Sequence, residues 1–205
     1  MKEKVIFATG NEDKMKEIRM ILADVDVEVL SLKEAGIVLE AEENGASFGE
    51  NAMIKARACA GLTDGTILAD DSGLVIDYLN GEPGIHSARY MGTDTSYHVK
   101  NQNLIERLDG VPEEKRTARF VCAIAAVLPG GEELLVEGTM EGRIGYEEKG
   151  ENGFGYDPIF YVPEYGCTSG QMDPEQKNAA SHRGRALEKM KDRMLSLGVW
   201  KSVRL

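Results

Sequence analysis

The sequence predicts an α/β fold on a mixed sheet, and three observations carry that prediction. Short, β-prone apolar runs end in turns rich in Gly, Asn and Asp. Amphipathic stretches of helical period lie between some of them. The remaining runs follow one another across tight turns, as hairpins do. Strict strand–helix alternation is therefore absent, which disfavours a purely parallel sheet.

The elements follow in order. Lys4 to Ala8 reads as a buried strand closed by the turn Thr9-Gly10-Asn11. From Asp13 a helix begins, with Met15, Ile18, Ile21, Leu22 and Val25 on one face. Val27 to Leu30 is a second strand. Ser47-Phe48-Gly49-Glu50 matches a capping box at the start of another helix. Ala52, Ala56 and Ala60 give that helix a close-packing face, and Asn51 and Lys55 form a polar pair on another.

Thr66 to Ala69 is a strand with Asp70-Asp71-Ser72-Gly73 at its carboxyl end. Leu74 to Leu79 reads as a further strand and Asn80 to Gly84 as a turn. Thr95 to Leu108 is helical, with Tyr97, Leu104, Ile105 and Leu108 inward, and Gly110 and Pro112 stop it. Phe120 to Leu128 is a strongly apolar strand. Pro129-Gly130-Gly131 turns it into Glu133 to Gly138, and Met140 to Tyr146 continues the sheet. An aromatic, glycine-rich loop from Gly153 leads into Ile159 to Val162. Ser181 caps the last helix, which presents Leu187, Met190 and Met194 and ends at Gly198.

Composition bounds the function. At 205 residues and 42% hydrophobic, the chain can bury a substantial core, as one large domain or two tightly fused lobes. We take residues 1–205 as a single domain. The 35 acidic residues outnumber 24 basic ones, for a net charge of −11. That sign argues against a nucleic-acid scaffold, which grips phosphates with an excess of cations. A free nucleotide needs only a few cations and stays open as a substrate. Cys59, Cys122 and Cys167 form no C-x-x-C pair and no zinc pattern, so they read as reduced thiols in a cytoplasmic protein. No run approaches the length of a membrane span, and no apolar signal stretch opens the chain.

Four segments could carry chemistry. Thr9-Gly10-Asn11-Glu12-Asp13-Lys14 places backbone N–H groups and a lysine at a strand–turn–helix junction, an anion site, with Glu12 and Asp13 offering backbone only. An ordinary capped helix with a solvated lysine has the same look. Asp70 and Asp71 end a strand and point to opposite faces. One can hold Mg²⁺ while the other orients its neighbours, with Glu42 and Glu43 as partners from the preceding loop. A simple Asp-Asp-Ser-Gly turn is the alternative. In Gly153-Phe154-Gly155-Tyr156-Asp157-Pro158 a base can stack on Phe154, and Asp157 can accept from a purine N–H. A β-turn with a core aromatic reads equally well. His182 and Arg183 stand in the first turn of the last helix, where the dipole disfavours cations. That mismatch hints at a ligand that offsets it, against two solvated bases as the alternative.

Together these segments resemble the inosine triphosphate pyrophosphatase family, house-cleaning enzymes for deaminated purine nucleotides. The matching pieces are Ala8-Thr9-Gly10-Asn11 with Lys14, Phe48 with Glu50-Asn51-Ala52 and Lys55-Ala56-Arg57, and Ala69-Asp70-Asp71-Ser72-Gly73-Leu74. Pro83-Gly84-Ile85 with Ser87-Ala88-Arg89-Tyr90, Gly153 to Pro158, and Ser181-His182-Arg183-Gly184 with Ala186-Leu187 complete the set. Each is weak alone; six in order along nearly the whole chain are specific.

The resemblance implies an elongated two-lobed α/β fold on a long mixed sheet flanked by helices. It places the active site in the cleft between the lobes, in a homodimer. It also implies Mg²⁺-dependent hydrolysis of ITP, dITP and XTP to the monophosphate and pyrophosphate. Thr9, Gly10, Asn11, Glu12, Asp13 and Lys14 would hold phosphates, assisted by Lys55 and Ser72. Glu42 and Asp71 would hold Mg²⁺, with Asp71 the proton acceptor. Phe154, Gly155, Tyr156, Asp157, Lys177, His182 and Arg183 would bind the base. The competing functions are a pyrophosphatase for pyrimidine or other modified nucleotides, a non-catalytic purine nucleotide sensor, and a nucleic-acid-binding module, which the net charge disfavours.

Overall fold

The computed structural model describes residues 2–203. The elements are β1 (Glu3–Phe7), α1 (Glu12–Ile21), β2 (Val27–Ser31), α2 (Phe48–Ala60), β3 (Thr66–Ile76) and α3 (Tyr97–Arg107). They continue with β4 (Thr117–Val127), β5 (Glu133–Ile144), β6 (Phe160–Val162), β7 (Cys167–Thr168), α4 (Pro174–Ala180) and α5 (His182–Ser196). The strands pair in the order β2-β1-β3-β4-β5-β6-β7. β1 runs parallel to β2 and β3, whereas β6 runs antiparallel to β5 and β7, so the sheet is mixed as the sequence predicts. Two compact units share it. One comprises Met1–Asp71, Cys122–Gly138 and His182–Leu205; the other comprises Ser72–Val121 and Thr139–Ser181.

The first unit has two apolar layers, because successive strand residues point to opposite faces. Val5, Phe7, Leu68, Cys122 and Ile124 face one way, against Met15 and Ile18 of α1 and Leu187, Met190 and Met194 of α5. Ile6, Ala8, Ile67, Ala69, Ala123 and Ala125 face the other, against Ala52, Ala56 and Cys59 of α2. The alanine row predicted for α2 is this contact. Cys122 is fully buried, and burial pushes its thiol up to about 12, so it acts as a small apolar side chain. α5 lies close over β5 at Gly138, where a Cβ would meet the His182 carbonyl oxygen at 2.3 Å.

The second unit has one core. Leu74, Ile76, Phe120, Met140, Ile144 and Phe160 pack with Leu104 and Leu108 of α3 and Ala180 of α4. Arg116 is 1% exposed there, and its guanidinium donates to the carbonyls of Ile144, Leu108 and Gly145. It ties the end of α3 to the end of β5.

Several expectations change. Thr66 to Leu79 holds one strand, β3, that runs unbroken through Asp70-Asp71-Ser72-Gly73, followed by a short 3₁₀ turn at Asp77–Leu79. β3 lies inside the sheet with β1 and β4 as neighbours, and β1 pairs with its first residues, Thr66 to Leu68; this tertiary setting overrides the turn preference of Asp, Ser and Gly. β5 likewise runs through Thr139 without a break. Only half of the capping box forms. Ser47 accepts from the Glu50 N–H, but the Glu50 carboxylate accepts from the Ala46 N–H instead of that of Ser47. Tyr97 is 38% exposed rather than inward. Val25 is buried beyond the end of α1, where it bridges to Ser202. α4 and β7 are too short, at seven and two residues, to show a period, and the local signal of α4 is its start, where Asp173 caps and Pro174 takes the first position.

Candidate active site

In the first unit the adjacent aspartates of β3 point to opposite faces and meet different partners. Asp70 is 1% exposed. It accepts from the Lys14 Nζ, which lies 3.2 Å from Oδ1 and 3.0 Å from Oδ2. The Arg183 guanidinium stands 3.5 Å from the same Oδ2 and also donates to Glu17. Burial raises the Asp70 carboxyl, but Lys14, then Arg183 and Lys55, outweigh it and hold the group well below its ordinary value. Arg183 is itself 2% exposed at the start of α5. The anions that offset its poor placement on the helix dipole are therefore internal carboxylates.

Asp71 is 7% exposed and faces α2. Its Oδ2 accepts from the Asn51 Nδ2 at 3.1 Å, and the Asn51 Oδ1 accepts from the Gly45 N–H at 2.9 Å. Asn51 thus bridges Asp71 to the loop before α2. The helical period puts Asn51 on a polar face with Lys55 but assigns it no role. Lys55 pairs with Glu43 at 3.2 Å. Burial lifts the Asp71 carboxyl above its ordinary value; Lys55 and Asn51 pull it down, and Glu43 adds to the lift. Glu43 therefore belongs to this charge group, while Glu42 is exposed. Ser72 follows Asp71 in β3 and is half-buried.

The turn before α1 is more occupied than its sequence suggests. Asn11 is the N-cap, and its Oδ1 accepts from the N–H groups of Asp13 and Lys14. The Asn11 N–H donates to the Thr9 Oγ1. Those amides are already paired, which leaves Gly10 and Glu12 as the backbone donors for an anion there. Gly10, Asn11, Glu12 and Asp13 are exposed, and Thr9 is buried.

The second unit holds the aromatic loop. Gly153 and Gly155 have φ of +76° and +67°, conformations that suit glycine on both sides of Phe154. A Cβ at Gly153 would lie 2.2 Å from the Asp157 Oδ2. The Asp157 carboxylate is tied inward: Oδ2 accepts from the Phe154 N–H and the Lys177 Nζ, each at 2.8 Å, and Oδ1 from the Ser169 Oγ at 2.8 Å. Lys177, on α4, also lies 4.9 Å from the centre of the Phe154 ring. Tyr156 is 4% exposed, and its hydroxyl donates to the Ser87 carbonyl at 2.6 Å. Its ring packs edge-on against Tyr97. Tyr156 is thus a structural anchor of the loop. His182 begins α5 in the first unit and is buried.

Among the described residues, no group of three or more His, Cys, Asp or Glu stands together as a metal cage. No helix among them is long and apolar enough to cross a membrane.

Comparisons with known proteins extend over nearly the whole chain. A dITP/XTP pyrophosphatase of Clostridium perfringens is 47% identical over 198 residues, covering 94% of this chain and 97% of its own. One of Exiguobacterium sibiricum is 46% identical over 187 residues, covering 91% and 94%. The solved HAM1 protein of Coxiella burnetii superposes with a TM-score of 0.85 at 39% identity, covering 95% of this chain and 99% of its own. The Ham1 family profile matches residues 5–193, and the chain belongs to the Ham1 family.

Proposed function

We infer that this chain hydrolyses non-standard purine nucleoside triphosphates, ITP, dITP and XTP, to the monophosphate and pyrophosphate. Family membership and the activity for which the relatives are named support that reaction. One observation supports the chemistry: neighbouring buried aspartates on one strand, each with a lysine on its own face.

In this reading water attacks the α-phosphorus in line. The bond from that phosphorus to the bridging oxygen breaks, and pyrophosphate leaves with the electron pair. Asp71 accepts the proton of the attacking water. The Asn51 amide, which donates to its Oδ2 at 3.1 Å, orients the carboxylate for that role. Lys14 and Lys55 stabilise charge on the leaving group, and the Thr9–Lys14 turn and Ser72 hold phosphates. Asp70 orients Lys14 and Arg183 through its ion pairs with them.

Membership of the family carries metal assistance with it. Mg²⁺ takes one or two carboxylates and fills its remaining positions with water and phosphate oxygens, so a three-carboxylate cage is not required. Asp71 and Glu42 would hold it, with Glu43 beside Asp71. Bound there, the ion would neutralise phosphate charge.

For the base, Phe154 offers a stacking face and Lys177, beside its ring, a donor. Hypoxanthine and xanthine present a 6-oxo acceptor where adenine presents a donor, and a polar pocket penalises that mismatch. Asp157 acts through Lys177 and the Phe154 backbone. Residues 1–205 work as one domain, in a cytoplasmic homodimer, and sedimentation velocity tests the assembly.

The deciding experiment is pyrophosphate release from ITP, dITP, XTP, GTP, ATP, CTP and UTP with Mg²⁺ and with EDTA. Metal-dependent turnover of the first three, far above ATP and GTP, is the expected result. No release from any of them sinks the reading.

A further inference from the structure

The aromatic loop of the second unit is held at two points, and the second has no role in the reaction described above. Two glycines of positive φ flank Phe154, so the local backbone does not fix its ring. The Phe154 N–H is pinned by Asp157. On the other side, the Gly155 carbonyl accepts from the Asn101 Nδ2 at 3.3 Å. The same Nδ2 donates to the Glu148 Oε1 at 2.8 Å. Glu148 is a hub: its Oε2 also accepts from the Gln102 Nε2 at 3.2 Å and pairs with the His98 Nδ1. Tyr97, one helical turn before Asn101, lays its ring 3.5 Å from where a Cβ of Gly155 would stand.

Asn101 is 1% exposed, and its Oδ1 is buried without a hydrogen-bond partner. A lost acceptor of that kind costs stability, and an apolar residue of similar shape would avoid the cost. The amide is therefore placed for its two donors. The Glu148 Oε1 accepts one amide N–H and so turns the other toward the Gly155 carbonyl.

We propose that Asn101 and Glu148 are positioning residues for base recognition. Glu148 orients the Asn101 amide, Asn101 fixes the Gly155 carbonyl, and the pinned loop presents the Phe154 ring to the purine. This rests on the reading that Phe154 receives the base.

The test measures kcat and KM for ITP, together with the inhibition constant of inorganic triphosphate, which has no base. The variants are Asn101→Leu, Glu148→Ala, Glu148→Gln and, as a control, Phe154→Ala. Asn101→Leu and Glu148→Ala should raise KM for ITP about tenfold, equivalent to about 1.4 kcal/mol. kcat and the triphosphate inhibition constant should stay within about twofold of wild type, well below that tenfold step. Glu148→Gln should retain wild-type KM, because its amide oxygen still accepts from Asn101. An unchanged KM in Asn101→Leu and Glu148→Ala, with a raised KM in Phe154→Ala, overturns the positioning role alone. Equal weakening of ITP and triphosphate also overturns it, since that is general damage. An unchanged KM in Phe154→Ala removes the base reading and this inference with it. If Asn101→Leu does not fold, the contrast between Glu148→Ala and Glu148→Gln decides.

Discussion

Replacing Asp70 with Asn tests whether the buried charge group it forms with Lys14 and Arg183 is a source of stability. The substitution keeps shape and one acceptor oxygen, and it removes the charge facing Lys14 at 3.0 Å and Arg183 at 3.5 Å. Removing one partner of a buried ion pair costs about 3–5 kcal/mol, because the other charge stays buried without compensation. Two features place this case at the lower end. Glu17 still pairs with Arg183, and the Lys14 side chain is 17% exposed, so water recovers part of the loss. The expected cost is therefore about 3 kcal/mol at pH 7. For a chain of this size that is a fall in Tm of roughly 6–12 °C.

The same group sets a pH dependence. The folded-state carboxyl lies below its ordinary value of 3.8, so its contribution is complete above that value and fades as pH falls toward the folded one. Urea unfolding of wild type and Asp70→Asn at pH 7 and at successively lower pH reads both effects. The gap should be widest at pH 7 and shrink once pH drops below about 4. A gap under about 1 kcal/mol at pH 7, the level of an exposed pair, would refute the reasoning. So would a gap that does not narrow on acidification.

Two further outcomes follow from the geometry. Asp71→Asn should lower kcat for ITP at least about a hundredfold while nucleotide binding persists, measured by steady-state turnover and by calorimetric titration. Wild-type turnover would remove Asp71 as the proton acceptor. Gly138→Ala puts a Cβ 2.3 Å from the His182 carbonyl oxygen and 2.5 Å from the Ala186 nitrogen, both backbone atoms, and should cost about 2 kcal/mol or more. Gly145→Ala meets nothing nearer than 3.6 Å and should be close to neutral in the same urea titration. Equal midpoints for the two variants would count against close packing of α5 on β5.

Much of the molecule is legible from local pattern. The apolar run before Thr9, the alanine spacing of α2 and the periodicity of the last helix each report a buried face directly. The alternation of strand side chains is enough to send Asp70 and Asp71 to opposite faces. The continuity of β3 is hidden, because its Asp-Asp-Ser-Gly stretch has turn chemistry and only its place inside the sheet keeps it extended. α4 is too short to show a period and is marked only by the Asp173-Pro174 start, which says nothing of the position of Lys177 over Phe154.

Local sequence settles the class of fold, the chemical types gathered for the site and the family, since these rest on short-range periodicity and on motifs within a few residues. Which charges meet is a matter of the folded chain. Lys14 reaches an aspartate 56 positions away, and Arg183 a glutamate 166 positions away. Such pairs are set by sheet register and helix packing. Folding also turns apparent ligand groups into internal partners: the Asn11 cap takes two amides of the turn, and Asp157 takes Lys177. A buried polar group must be satisfied by whatever the fold brings beside it, and no local pattern records what that will be.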